Sequence, residues 1–287
     1  MNETAALTSV ALAAIAVWIA SLFAARMLWR RAYRRTTIAP FTLAVVALIV
    51  GGFAFWYGHR PLPASEHREL FPGVTYIREL RASPRPMVIH VVTIDLDLPG
   101  LRFLVTPGDH VQGGDYRART ASQFREEYGL QLVINADFFD PWRDYGFWDY
   151  YPHEGDPVNA RGLTLSGGNL VTQGYAPADG FDTLYLTAGN RAAFNAPDGA
   201  HNAISGNVML VVDGVPLDPA GETAYITQPN PRTAIGVDAA GRTLILILVD
   251  GRQPNYSEGA TIADLTALCA QYGAHNALNL DGGGSTV

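Results

Sequence analysis

The sequence contains no lysine and only one cysteine, and each scarcity excludes particular chemistry. Without lysine the chain has no Walker-type phosphate loop and cannot form a Schiff base with a carbonyl substrate. Cys269 alone can form neither an intramolecular disulfide nor a cysteine-based metal site. It lies on the apolar face of a predicted helix, Thr261–Tyr272, so we interpret it as a core residue.

Charge is absent from two stretches near the N-terminus, residues 5–25 and 38–57. A helix of about 20 residues rises about 30 Å, which matches the hydrocarbon core of a bilayer. The sequence therefore predicts two transmembrane helices. Five arginines lie between Arg26 and Arg35, and the positive-inside rule places this basic loop in the cytoplasm. We expect a multi-pass cell-membrane protein whose remaining residues are extracytoplasmic. A cleavable signal peptide fits less well, because the basic residues follow the first apolar run.

The part of the chain that follows the predicted spans is acidic. Residues 1–57 hold five arginines and one acid, which leaves 15 arginines against 26 acidic residues, a formal net charge of −11. Nucleic acid requires the opposite sign over a broad face, so we expect no nucleic-acid partner. Recognition of a phosphate group would depend on a few well-placed arginines.

The remaining sequence predicts an α+β domain over residues 74–287, after a polar linker at 58–73. We expect a mixed, largely antiparallel sheet with few helices. The run Thr243–Val249 is nearly all apolar, which is typical of a strand covered on both faces. The predicted helices are Thr120–Tyr128 and Thr261–Tyr272. The predicted strands are Val74–Leu80, Met87–Asp95, Leu101–Val105, Leu130–Asn135, Leu163–Ser166, Thr183–Thr187, Val208–Val212, Thr233–Val237 and Thr243–Val249.

Polar groups stand at the ends of four of these apolar segments, where a rigid sheet can present side chains to a ligand. Any one of them is equally interpreted as a solvated turn. The three glycines after Asp281 allow φ > 0 and a close approach of a ligand, and their amides can form an anion-binding nest. The four groups are Asn135–Asp140, Pro231–Thr233, Asp250–Arg252 and Asp281–Ser285.

Four motifs in this order, INADFFD, PRTAIG, VDGR and ALNLDGGGST, resemble those of the phosphodiester glycosidase family. The resemblance runs from about Gly73 to Val287 and excludes both apolar helices. It implies a hydrolase that cleaves a sugar from a sugar-1-phosphodiester in envelope or extracellular glycans or glycolipids. Two features depart from the family pattern. The family's Asn-Gly-Gly-Phe-Phe is Asn135-Ala-Asp137-Phe-Phe here, and Val287 falls inside the last motif, where members usually continue with another strand.

The resemblance and the chemistry of glycosyl transfer suggest roles for individual residues. A carboxylate near the anomeric carbon and cationic or N–H donors for the departing phosphate are what such a reaction needs. We predict Asp281 as nucleophile or base. The candidates for a second carboxyl are Asp137, Asp250 and Glu258, which the sequence does not rank. The predicted substrate-binding residues are Asn135, Arg232, Thr233, Arg252, Gly282, Gly283, Gly284 and Ser285.

Three alternatives stay open. The chemistry requires no cofactor, but Ca²⁺ or Mg²⁺ held by carboxylates such as Asp137, Asp140, Asp250 and Asp281 is a second option. The histidines show no metal-ligand spacing, which argues against zinc. The domain could bind an envelope glycan without catalysis. It could also be a glycosidase without phosphate preference, in which case Arg232 and the glycines would be structural.

Six aromatic residues fall within the twelve positions from Trp142 to His153. Two interpretations fit this density. The segment could form a wall that stacks against sugars, or it could shield apolar area at the membrane surface.

Overall fold

The computed structural model describes residues 3–30, 38–109, 111–146, 149–174, 180–218 and 221–287. By its internal contacts the chain divides into two units. The first comprises Met1–Pro63 with Gln253–Glu258, and the second comprises Ala64–Arg252 with Gly259–Val287.

The first unit contains two long helices, α1 (Glu3–Arg30) and α2 (Ile38–Gly58). In the described part of the chain only α2 is long and apolar enough to cross a membrane, over Phe41–Gly58. The described part of α1 contains a shorter apolar segment, Leu12–Met27. The prediction of two spans is therefore supported for one helix. Residues 31–37 of the predicted basic loop lie outside the described residues.

The second unit has many strands and few helices, as predicted for an α+β domain. Its helices are α3 (Ala121–Tyr128), α4 (Ala224–Thr227) and α5 (Ile262–Gln271), with a 3₁₀ turn at Gly283–Ser285. Its strands are β1 (Glu66–Phe71), β2 (Val74–Arg81), β3 (Met87–Asp95), β4 (Tyr116–Arg117), β5 (Phe139–Asp140), β6 (Arg143–Gly146), β7 (Asp149–Tyr151), β8 (Pro157–Ala160), β9 (Thr164–Ser166), β10 (Asn169–Thr172), β11 (Asp182–Thr187), β12 (Ala192–Ala193), β13 (Ala200–Gly206), β14 (Val208–Val212), β15 (Val215–Pro216), β16 (Arg232–Val237), β17 (Thr243–Val249) and β18 (Asn276–Asn279).

The main sheet has eight strands in the order β1-β2-β3-β17-β16-β18-β14-β15. Every neighbouring pair in it is antiparallel, so the predicted antiparallel character is confirmed, whereas no parallel pair of a mixed sheet occurs among these strands. A second sheet has the order β10-β9-β13-β11-β12. Two smaller groups are β4-β8-β5 and the hairpin β6-β7.

Strand β17 lies near the middle of the main sheet and is covered on both faces, as its apolar run predicts. On one face Ile245 and Ile247 pack with Leu265 of α5. On the other face Leu244 and Leu246 pack with side chains of β11 in the second sheet. The main sheet is therefore the middle layer of the unit.

The structure confirms the predicted boundaries of helix α5 and the predicted core position of Cys269. The side chains of Thr261 and Asp264 form a reciprocal capping box at the N-terminus of the helix. Cys269 is buried in the core, and this burial raises the pKa of its thiol to about 12. The thiol is therefore protonated and inert at neutral pH.

Three predictions of secondary structure were wrong. Residues 101–105 and 130–135 form no strand, and β1 lies within the predicted linker. In residues 101–105, carbonyl oxygens accept side-chain hydrogen bonds instead of pairing with a neighbouring strand: Leu101 from Asn190, Phe103 from Asn202 and Val105 from Ser166. Strand β1 is a charged edge strand, so it lacks the apolar alternation that marks a covered strand.

Candidate active site

Three strand ends that are distant in sequence meet at Pro231, which directly precedes β16. Gly251 follows β17, and a Cβ at this position would lie 2.4 Å from Pro231 N. Gly282 follows β18, and its Cβ would lie 2.8 Å from Pro231 O. The amide of Gly283, at φ +65°, donates to the same carbonyl oxygen at 2.9 Å. Gly251 of VDGR and Gly282 and Gly283 of LDGGGS are therefore required for the strand ends to approach each other.

Asn135 ties a fourth segment to this meeting point. Its Nδ2 donates to the carbonyl oxygen of Asp281 at 2.7 Å, and its Oδ1 accepts from Thr233 Oγ1 at 2.8 Å. Asp281 N–H in turn donates to Ala136 O at 2.9 Å. In this structure the side chains of Asn135 and Thr233 therefore hold Asp281 in place.

Asp281 is partly buried where the last strand turns into the 3₁₀ segment. Its Oδ1 accepts from the amide of Gly282 at 2.8 Å, and the Ser285 side chain also hydrogen-bonds to the carboxylate. Burial raises the pKa of Asp281 above its ordinary value, while these two hydrogen bonds partly offset the rise. The carboxyl is thus more basic than a solvated aspartate, which suits a nucleophile or base.

Asp137 is the second carboxyl that the structure brings into this region. It accepts hydrogen bonds from Thr164 Oγ1 at 2.7 Å and from the backbone N–H of Ser205. Burial raises the pKa of Asp137 to about 7, and the negative charge of Asp281 adds to the rise. The two carboxyls therefore interact, and Asp137 is the group of the pair that is protonated in part at neutral pH.

The other two candidate carboxyls occupy different surroundings. Asp250 Oδ2 lies 3.4 Å from His90 Nε2, and His90 Nδ1 lies 2.7 Å from the hydroxyl of Tyr76. Glu258 belongs to the first unit and so is not among the side chains that the second unit brings together. Asp137 is thus the partner of Asp281 that the second unit supplies.

The two predicted arginines differ in exposure. Arg232 is only 2% exposed, and its guanidinium donates to the carbonyl oxygens of Ala260, Tyr225 and Gln228. Burial lowers the pKa of Arg232, which has no carboxylate partner among the described residues. The side chain therefore joins the start of β16 to its neighbouring loops.

Arg252 is exposed and lies against the glycine turn. Its Nε and Nη2 donate to Asn230 Oδ1 at 3.2 and 3.1 Å. A Cβ on Gly283 would lie 3.0 Å from Nη2, so the guanidinium covers this glycine. A guanidinium has five N–H donors, and three of them remain beyond the two that Asn230 accepts. Arg252 is therefore the arginine of this region that can reach an anion.

The predicted anion nest has donors that are already in use. The amides of Gly282 and Gly283 donate to Asp281 Oδ1 and Pro231 O, as described above. Among the described residues, no group of three or more His, Cys, Asp or Glu side chains is arranged to hold a metal ion. Binding of a phosphate by Gly282–Gly284 and Ser285, and binding of a cation, both stay predictions.

Sequence reasoning missed three residues that support the site: Thr164, Ser205 and Asn230. Asn230 directly precedes the PRTAIG motif, and that adjacency was a usable signal. Thr164 and Ser205 lie on strands β9 and β13 of the second sheet, and nothing in their local sequence indicates a contact with Asp137.

Comparison with known proteins supports the fold and identifies the family. The SPbeta prophage-derived uncharacterized protein YomE of Bacillus subtilis is 40% identical over 89 residues, which are 31% of this chain and 14% of that protein. A hypothetical protein from Synechocystis has the same fold, with a TM-score of 0.50 and 18% identity over 78% of this chain and 59% of that one. The chain thus spans a small part of the first relative and about three fifths of the second.

The catalytic domain of zebrafish N-acetylglucosamine-1-phosphodiester alpha-N-acetylglucosaminidase, auto-inhibited by its pro-peptide, aligns with a TM-score of 0.45 and 19% identity. That alignment covers 80% of this chain and 74% of the zebrafish domain. The family model described as phosphodiester glycosidase matches residues 128–287, which is more than half of the chain and includes all four motifs. The chain therefore belongs to the phosphodiester glycosidase family.

Proposed function

We propose that the second unit hydrolyses sugar-1-phosphodiesters of envelope or extracellular glycans. The observation that carries the proposal is the meeting of two interacting carboxyls of raised pKa, Asp281 and Asp137, with the exposed guanidinium of Arg252 at neighbouring strand ends. Membership of the phosphodiester glycosidase family supports the same reaction class.

The two carboxyls have different roles in the proposed hydrolysis. The bond between C1 and the phosphate oxygen breaks with its electron pair going to that oxygen, while C1 gains positive charge. Asp281 either forms a bond to C1, which water then cleaves to release the sugar and restore the carboxylate, or removes a proton from the water that attacks C1 directly. The pKa of Asp137 is about 7, so this carboxyl can donate a proton to the departing phosphate oxygen or accept the proton that Asp281 has removed from water.

Arg252 is assigned to the phosphate. Guanidinium N–H groups match two phosphate oxygens at once, and a phosphate monoester that is so bound leaves more readily. The position of Arg252 over Gly283 places this charge beside the turn that carries Asp281. Arg232 has no such role in the proposal, because its guanidinium is buried against backbone carbonyls.

One observation favours a second candidate, a glycosidase without phosphate preference. Arg232 and the amides of Gly282 and Gly283 have structural partners, as that alternative requires. The two candidates then differ only in the role of Arg252. A glycan-binding domain without catalysis is the third outcome that an assay must distinguish.

The test uses the full chain in detergent with two substrates, a methyl phosphodiester of N-acetylglucosamine 1-phosphate and an aryl glycoside of the same sugar. We expect release from the phosphodiester alone. Asp281→Asn should lose about 10³-fold or more in kcat/KM, since it removes the nucleophile or base. Asp213→Asn is the matched control, because the side chain of Asp213 is 83% exposed in a turn after β14.

Each other outcome selects an alternative. Turnover of the aryl glycoside at a similar rate would support the glycosidase without phosphate preference. Full activity of Asp281→Asn would contradict the assignment of that residue.

We also propose that no cofactor is required. Treatment with EDTA should therefore leave turnover unchanged, whereas a loss restored by Ca²⁺ or Mg²⁺ would show a cation.

The membrane anchor is part of the proposal. We propose that α1 and α2 both cross the cell membrane and place the second unit on the extracytoplasmic side. Support comes from the apolar segment Phe41–Gly58 and from the five arginines between Arg26 and Arg35. The substrate would then be a glycan or glycolipid of the envelope.

A further inference from the structure

The hairpin β6–β7 exposes aromatic side chains that the proposed reaction does not use. Trp142, Tyr145 and Tyr150 are 58%, 58% and 51% exposed. Contiguous exposed apolar side chains on a protein surface commonly mark a binding site.

The rings of this segment form one continuous row. Phe139 and Trp142 meet nearly edge to face at 6.4 Å between centroids, and Trp142 stacks on Tyr150 at 5.7 Å. Tyr150 in turn lies 5.5 Å from His153. We name Phe139, Trp142, Tyr150 and His153 the aromatic row. Each ring of the row contacts the next, so the four rings form one aromatic surface.

The aromatic row begins close to the proposed catalytic residues. Phe139 is two residues after Asp137 in the chain. Five residues of extended chain span at most about 18 Å, so the Cα atom of Trp142 lies no further than that from the Cα atom of Asp137. A substrate that extends beyond its reacting sugar can therefore reach the row.

The hairpin holds its rings in a defined arrangement. Asp144 pairs with Tyr150 across the two strands, so these side chains and Trp142, two residues before Asp144, share one face. Tyr151 Oη donates to Pro157 O at 2.7 Å, and Phe139 pairs with Ala160 of β8. These contacts fix the base of the hairpin to neighbouring strands and reduce the entropy lost on binding.

We propose that the aromatic row is a subsite for neutral sugar residues of the glycan on which the enzyme acts. The proposal rests on the proposed function. One face of a pyranose ring carries C–H groups, which pack on the electron-rich faces of aromatic rings. Hydroxyls at the sugar's edge would donate to carboxylates beside the rings, namely Asp144, which pairs with Tyr150, and Asp149, whose Oδ1 lies 3.1 Å from His153 Nε2.

Charge favours a neutral glycan over a lipid surface. The segment from residue 141 to residue 153 contains no Leu, Ile, Val or Met, so its large apolar side chains are aromatic rings, which pack on sugar faces and also occur at membrane interfaces. Between Trp142 and Asp156 there are four carboxylates and one arginine. A negatively charged membrane surface repels such a segment.

The experiment measures binding of a neutral hexasaccharide of N-acetylglucosamine to the full chain in detergent, by intrinsic fluorescence and by calorimetry. We expect Trp142→Ala and Tyr150→Ala to raise Kd about tenfold, as loss of one stacked aromatic contact implies. Trp142→Phe should keep most of the affinity. Phe71→Ala is the matched control, because Phe71 is 45% exposed on the edge strand β1.

Unchanged affinity in Trp142→Ala, or no binding by the wild type, would overturn the proposal. So would quenching of Trp142 by brominated phosphatidylcholine in nanodiscs, identified by difference from Trp142→Phe, because the row would then be a lipid contact. Binding is measured without turnover. If the hexasaccharide binds through Trp142 and no phosphodiester is cleaved, the subsite stands and the proposed reaction falls.

Discussion

Asp137 links the chemistry of the site to the stability of the folded chain. Its pKa is about 7 when folded and about 4 in an unfolded chain. Between these values the folded protein keeps a proton that the unfolded chain has lost. Stability therefore falls as pH rises from about 4 to 7, and it then levels off. The cost at high pH is the burial of a charged carboxylate.

This linkage predicts how Asp137→Asn behaves. The amide cannot ionise, and it can still accept from Ser205 N–H and donate to Thr164. We expect the variant to gain up to about 4 kcal/mol over the wild type at pH 8 and little at pH 4.5. Thermal midpoints of both proteins at the two pH values check this. The same difference at both values would show that Asp137 is not a buried titrating group.

The two arginines of the site predict opposite phenotypes. Arg232→Ala removes a buried guanidinium that donates to the carbonyl oxygens of Ala260, Tyr225 and Gln228, and it leaves a cavity, so we expect a loss of about 2–4 kcal/mol in stability. Arg252→Ala should leave the thermal midpoint nearly unchanged, because its side chain is exposed. It should raise KM for the phosphodiester about tenfold or more. A stable, fully active Arg232→Ala would contradict this division.

At this scale the sequence indicated candidate residues but not their partners. Asp281 was predicted because it is a lone carboxylate after an apolar run, Asp137 was one of three unranked candidates for a second carboxyl, and the catalytic roles of both stay predictions. The burial of Arg232 was not predictable, since an arginine at a strand start is usually solvated. The ring of Tyr225, seven residues earlier in the chain, covers this guanidinium, with its centroid 4.7 Å from the guanidinium carbon.

At the scale of elements, the glycines after β18 divide into those that packing requires and those that it does not. A Cβ on Gly282 would meet Pro231 O at 2.8 Å, whereas a Cβ on Gly284 would meet nothing within 4 Å. Neither residue has a positive φ, so conformational strain does not separate them. Gly282→Ala should therefore cost about 1–3 kcal/mol, and Gly284→Ala should be nearly neutral.

Unfolding of the two alanine variants in parallel provides the measurement. Equal losses would mean that Pro231 moves without cost, and the account of the three strand ends would then be wrong. Gly282→Ala should also lower activity, because Asp281 precedes it directly in the chain.

The strands that the sequence predicted well are those with both neighbours in the main sheet. The predicted bounds of β3, β14 and β17 agree with the structure, because covered strands carry uninterrupted apolar runs. Residues 101–105 and 130–135 have similar apolar runs, but they do not pair with a neighbouring strand. Their apolar side chains, such as Phe103 and Ile134, still pack into the core. An apolar run therefore predicts which side chains are buried, but it does not predict which groups form hydrogen bonds with the backbone.

For the whole molecule, the proposed membrane anchor can be tested without any substrate. Reporter fusions after Arg35 and after Arg60 should report opposite sides of the membrane, with the second extracytoplasmic. The reason is that α2 lies between the two fusion points. Alkaline phosphatase and a fluorescent protein that folds only in the cytoplasm make a complementary pair of reporters. The same side for both fusions would rule out a span at Phe41–Gly58.

The position of β18 has a consequence for the order in which the chain is made. This strand comes after every other strand in the sequence, and yet it lies between β16 and β14 inside the main sheet. A nascent chain synthesised only as far as Gln271 has two open edges at that gap, each with unpaired backbone groups. Closure of this gap in the sheet and completion of the candidate site by Asp281 therefore occur together, once β18 has been made. A chain that still lacks β18 is prone to pair with other chains, so it depends on protection until that strand is added.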